Sequence, residues 1–150
     1  KGNSLEIFIE IDPLESKNFG LNILKSKDGS EKTKIYIDKN ESILGIDFSK
    51  SSIQNPKYSK YMMIKGDEYK NQMTKVQKAP FKINNGEIVK FRVFIDKSII
   101  EVFVNDGMQS ITQIVYPTDS ESIDVELFSE GSEINVKKIQ SWKLFPSMQW

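Results

Sequence analysis

Glycoside hydrolysis needs two carboxyl groups at a set separation. In this 150-residue chain, Glu101 with Asp96 or Asp106 invites that reading. Turn and strand-surface roles explain the same acids without catalysis, because Asp is a preferred turn residue. Asp119, Glu121 and Asp124 cluster oxygen donors as a calcium site does. Their spacing matches no recognised calcium loop, and they read as plain surface acids. Trp142, Trp150, Tyr58, Tyr61 and Tyr69 have aromatic faces that suit the apolar faces of sugars. Trp142 shares a two-residue phase with Ile134, Val136 and Leu144, so it is expected in the core. Trp150 stands at the chain end, where order is doubtful.

Composition removes most other chemistry. The chain has no His and no Cys. The commonest general base, the commonest transition-metal ligand and the thiol nucleophiles are therefore absent, as are Ser/His/Asp and Cys/His catalysis. No metal or cofactor site is expected. Twenty-one basic and 21 acidic residues balance to zero, which leaves no electrostatic footprint for nucleic acid or an anionic membrane. Arg92 is the only arginine, so bidentate clamping of phosphate is nearly unavailable. No apolar run is long enough to insert in a membrane. The chain opens Lys1-Gly2 with no leader pattern and reads as a fragment. The lack of Cys fits either side of a bacterial membrane.

Period-two alternation dominates the elements that would position these residues. Leu5, Ile7, Ile9 and Ile11 alternate with Glu6, Phe8, Glu10 and Asp12, and Pro13 ends the strand. Phe19, Leu21 and Ile23 follow, then a Lys27-Asp28-Gly29-Ser30 turn. Thr33 to Asp38 and Ile43 to Phe48 are short strands joined through Lys39-Asn40-Glu41. Val89, Phe91, Val93 and Ile95 share one face; Ile100, Val102 and Val104 share the face of the next strand. Asp96-Lys97-Ser98 and Asn105-Asp106-Gly107 are tight turns. Strands follow at Ser110 to Tyr116, around Ile123, Val125 and Leu127, and from Ile134 to Leu144. The sum is one all-β domain over residues 1–150, an antiparallel two-sheet sandwich or a barrel. Phe8, Phe94 and Phe103 lie on the nominally outer face, so something outside the core is expected to cover part of one sheet.

Ser49 to Lys78 stands apart. It is too weakly periodic for a further strand, too apolar for a solvated loop, and long enough to suggest a function. Tyr58, Tyr61, Met62, Met63 and Tyr69 make it the candidate contact surface, for a neighbouring domain or for carbohydrate. The Met pair suits an adaptable apolar contact.

The run Phe91-Arg92-Val93-Phe94-Ile95-Asp96-Lys97-Ser98-Ile99-Ile100-Glu101-Val102-Phe103-Val104-Asn105-Asp106-Gly107 resembles the signature hairpin of the C-terminal domain of glycoside hydrolase family 32, which includes levanases, inulinases and invertases. Phe19-Gly20-Leu21, Tyr116-Pro117, Leu127-Phe128-Ser129-Glu130-Gly131 and Trp142-Lys143-Leu144 are similar to family segments in the same order. Asp96, Ser98, Glu101, Asn105 and Gly107 are read as fold-signature residues, with Glu101 placed to pair with Arg92 or Lys90. The resemblance implies a lectin- or glucanase-like β-sandwich of two six-stranded sheets.

The resemblance also implies that catalysis lies in a preceding propeller with Asn-Asp-Pro-Asn, Arg-Asp-Pro and Glu-Cys motifs. None of these occurs here, since Arg92 precedes Val93, Asp12-Pro13 lies between Ile11 and Leu14, and Cys is absent. The expectation is a non-catalytic module of a secreted, periplasmic or surface-attached bacterial fructan hydrolase that docks on its own N-terminal propeller. An independent carbohydrate-binding module and a homodimerisation domain are the alternatives.

Overall fold

The computed structural model describes residues 1–51 and 75–146. Ten strands carry the fold: β1 (Ser4–Asp12), β2 (Asn18–Lys25), β3 (Lys32–Asp38), β4 (Ile43–Lys50), β5 (Val76–Pro80), β6 (Val89–Asp96), β7 (Ile99–Val104), β8 (Gln109–Ile114), β9 (Asp124–Glu130) and β10 (Asn135–Lys143). They form two antiparallel five-stranded sheets, ordered β10-β1-β6-β7-β8 and β5-β4-β3-β2-β9. The expected six strands per sheet become five among the described residues.

Alternation explains why these segments pair as they do. Along β1 every second residue is buried, and β6 and β7 repeat the pattern. Ile9, Ile11, Val89, Phe91, Val102 and Val104 from one sheet meet Phe19, Leu21, Ile35, Ile37, Leu44 and Ile46 from the other in one continuous core. Phe19 meets Phe91 edge to face at 6.4 Å between ring centres. Such a contact adds about 0.5–1.5 kcal/mol beyond the area it buries.

Two strand readings need correction. Ser49 and Lys50 complete β4, and Val76 to Lys78 begin β5, so the segment from Ser49 to Lys78 does contribute strand. β5 is a short edge strand that ends at Pro80 and is mostly exposed. A strand that buries only Val76 and Ala79, and those partly, leaves no alternation to read, and Pro is tolerated at such an edge.

The second correction concerns Trp142, which is 44% exposed and outside the core. Glu10 pairs with Lys138 but Ile11 pairs with Val136, so a bulge around Lys137 shifts the register by one residue. A bulge moves every later side chain to the opposite face. Val136 therefore shares a face with inward Ile11, while Trp142 lies opposite outward Glu6.

The Asn105 turn is held by more than its backbone. Asn105, Asp106 and Gly107 have φ of 48°, 59° and 88°. Asn105 Oδ1 accepts from the Lys90 amide at 2.9 Å, and its Nδ2 donates to Glu87 Oε1 at 2.8 Å. Space is open around Gly107, so backbone angle alone decides what it tolerates. Gly107→Val is expected to cost about 1–3 kcal/mol, read as a lower melting midpoint. Gly107→Asn should cost less, because Asn tolerates positive φ. Equal losses for the two variants would contradict the backbone explanation.

Candidate functional site

The outer face of the β10-β1-β6-β7-β8 sheet brings together Phe8, Arg92, Phe94, Glu101 and Phe103, all of which the sequence singles out. Register places Phe8 beside Arg92, Arg92 beside Phe103, and Phe94 between Glu6 and Glu101. Directly opposed side chains in an antiparallel pair lie on one face about 4.5–5.5 Å apart. Rings and charged groups therefore alternate over three adjacent strands. Phe94 and Phe103 meet edge to face at 6.0 Å. The Arg92 guanidinium lies 5.3 Å from the Phe8 ring centre, and Lys138 Nζ lies 5.4 Å from it.

This face holds a groove of about 440 Å³ lined by Phe8, Lys90, Arg92, Phe94, Phe103, Asp106 and Gly107. Arg92 Nη1 donates to Glu6 Oε1 at 2.7 Å, and Lys90 Nζ donates to Asp106 Oδ2 at 2.8 Å. That second bond raises the pKa of the Lys90 ammonium, with the Asp106 charge adding to it. Glu101 makes no ion pair with Arg92 or Lys90, whose carboxylate partners are Glu6 and Asp106. It is exposed, opposite Phe94 on one side and Thr112 on the other.

The remaining signature residues serve the backbone. Asp96 and Ile99 close the β6–β7 hairpin as a pair. The Ser98 carbonyl accepts from the Val115 amide at 2.8 Å. Tyr58, Tyr61, Met62, Met63, Tyr69 and Trp150 lie outside the described residues. Asp119 accepts from the Glu121 amide, Asp124 pairs with Lys1, and no three ligating side chains converge on a metal position among the described residues.

Sequence reasoning passed over Glu31, the one acid buried in the described residues. It follows the β2–β3 turn, where Asp28 Oδ1 accepts from Ser26 Oγ, the Ser30 amide and Ser30 Oγ. These bonds, Ser26 first, lower the Asp28 pKa to about 2. A depressed carboxylate stabilises above its ordinary value of 3.8, and that contribution is lost as pH falls toward 2. The Glu31 carboxylate reaches across to the β8–β9 connection, accepting from the Thr118 amide at 2.7 Å, the Asp119 amide at 3.2 Å and Ser122 Oγ at 2.7 Å. Its neighbours in sequence are all polar, so only the position of the distant loop reveals its role.

Taken together, the described residues define a two-sheet antiparallel β-sandwich with a structured outer face and no catalytic constellation. The family model for the C-terminal domain of glycosyl hydrolases family 32 matches residues 1–143, and the chain belongs to that family. A levanase of Bacillus subtilis is 32% identical over 142 residues, which cover 92% of this chain and 18% of that enzyme. A solved fructosyltransferase from A. japonicus superposes with a TM-score of 0.72 at 16% identity, over 97% of this chain and 23% of that one. Fructan 1-exohydrolase IIa from Cichorium intybus gives a TM-score of 0.69 at 19% identity, over 95% of this chain and 31% of that one. The chain thus spans about a fifth of the levanase and under a third of these structures. In this family the domain accompanies an N-terminal catalytic domain.

Proposed function

We propose that residues 1–150 form a single non-catalytic accessory module of a secreted or surface-attached bacterial fructan hydrolase, held against the catalytic domain of the same polypeptide. The observation that carries this reading is β10. All nine of its residues are exposed, with Val136, Ile139 and Trp142 among them. It is also the edge of its sheet, with one row of backbone groups unpaired to any strand described. A long edge strand that exposes apolar side chains such as Val136, Ile139 and Trp142 invites association unless something covers it. In register, Ile139 opposes fully buried Ile9, so it points toward the sandwich interior but lies beyond it. A neighbouring domain seated on β10 would bury these side chains and pair the edge.

The test is hydrogen exchange on this chain alone and on a polypeptide that also carries the catalytic domain. Amides of β10 are expected to exchange at least about tenfold more slowly in the longer polypeptide. Equal exchange in both sinks the docking reading. Slowing that depends on the concentration of the isolated chain points instead to a homodimer through this edge.

A further inference from the structure

We infer that the outer face of the β10-β1-β6-β7-β8 sheet is a self-association surface, on which a second copy of this chain packs face to face about a two-fold axis. The face is built as specific protein interfaces are, with an apolar centre inside a charged rim. Phe94 and Phe103 meet edge to face at 6.0 Å in that centre, and Phe8 stands across Arg92 from Phe103. All three rings are half-buried. Ile99 and Ile114, 45% and 44% exposed, pair across β7 and β8 and carry the apolar surface outward. Scattered exposed apolar residues are ordinary, but a joined patch marks a contact surface.

The distribution of charge selects a second copy as the partner. β6 is the middle strand of its sheet, and Val93 lies near the middle of β6. On the outer side, the end toward Asp96 holds Asp96, Glu6 and Glu101. The end toward Lys90 holds Arg92, Lys90 and Lys138, and there Glu10 and Asp106 offset two of the three cations. One end is thus acidic and the other mildly basic. Asp96 and Glu101 have no ion pair among the described residues.

A two-fold axis lying across the strands at Val93 turns the acidic end of one copy onto the basic end of the other. Residues of β6 equidistant from Val93 then oppose each other: Phe94 meets Arg92 of the second copy, and Asp96 meets its Lys90. Each contact is made twice, as an isologous interface requires. The first is a cation–π contact, and the second supplies the cation that Asp96 lacks within its own sheet. Five strands about 4.8 Å apart, rising about 3.4 Å per residue, give this face roughly 600 Å² in plan. Two such faces reach about 1,200 Å², the lower end for specific interfaces. The dimer uses the flat of the sheet and leaves the outer edge of β10 free for the catalytic domain.

Sedimentation equilibrium of this chain tests the inference. Wild type is expected to pass from monomer to dimer with a Kd on the order of 10 μM, as suits an interface of modest area. Asp96→Lys and Lys90→Glu should each weaken association at least about tenfold, because each sets like charges opposite each other twice. An equimolar mixture of the two variants should regain it as a heterodimer, since both contacts then join opposite charges. The double variant Asp96→Lys/Lys90→Glu should regain it as a homodimer. Lys50→Glu, the same charge change on an exposed residue of the other sheet, should associate as wild type does. Melting of each variant identifies any that fail to fold. A chain still monomeric above about 100 μM overturns the inference. So does undiminished association of the folded single variants, which would place the contact elsewhere, or a mixture and a double variant that both stay monomeric. None of these readouts depends on β10 exchange, so this inference and the docking reading fail separately.

Discussion

Glu31→Ala is expected to lower the stability of the domain by about 3 kcal/mol, the scale reached when several hydrogen-bond donors lose an ionised acceptor. At this chain length that corresponds to a fall of roughly 10 °C in melting midpoint. Glu31 is a buried residue, 4% exposed, whose carboxylate accepts three hydrogen bonds from Thr118, Asp119 and Ser122. Truncation leaves those three donors facing a void. Each buried donor left unsatisfied costs about 1–3 kcal/mol unless water enters. Glu31→Gln keeps the shape and one acceptor oxygen but turns an NH₂ group toward a donor. Its loss should fall between wild type and Glu31→Ala. The opposite order, or an unchanged midpoint for Glu31→Ala, would show that the loop from Thr118 to Ser122 holds itself.

Gly20→Ala should cost about 3 kcal/mol or more, at the upper end for overpacking combined with backbone strain. Gly20 has φ of 156°, and a Cβ built there falls onto the Ile35 carbonyl oxygen and within 3.0 Å of Tyr36 Cα. Both are backbone of β3, with which β2 pairs at Gly20 and Tyr36. Relief therefore requires the strands to separate. Gly45→Ala makes a useful contrast. The three atoms nearest its Cβ all belong to the Tyr36 ring, including the hydroxyl at 2.7 Å, and that side chain can swing away about χ1. That variant should lose about 1 kcal/mol. Thermal melts of both variants check the difference. Equal losses would mean that β2 and β3 yield as easily as a side chain.

The fold was legible wherever one strand face was buried and the other was not. β1, β6 and β7 announce themselves because the core selects every second residue. β5 was not legible because it packs on too little for any pattern to be imposed. Trp142 misled for a different reason: a single bulge near Lys137 reverses the phase, and no residue there advertises it. Phe19-Gly20-Leu21 was recognisable as a segment, but the need for glycine is visible only once Ile35 is seen against it. The outer-face rings Phe8, Phe94 and Phe103 could be placed from phase alone. Their alternation with Glu6, Arg92 and Glu101 needed the register of three strands. Glu31 was illegible because its partners lie 87 or more residues away.

Strand order has a consequence for how the domain is made. β1 lies between β10 and β6, and β2 lies between β3 and β9. Among the described strands, the first two of this domain thus receive one of their two neighbours only from the last two. Until residues from Asp124 onward emerge, one edge of each sheet stays open, however well the middle of the chain has paired. Contacts of such long sequence separation form slowly, because chain closure must precede their reward. The domain therefore completes itself only after its own synthesis has ended, and any segment encoded before it has had that interval in which to fold first.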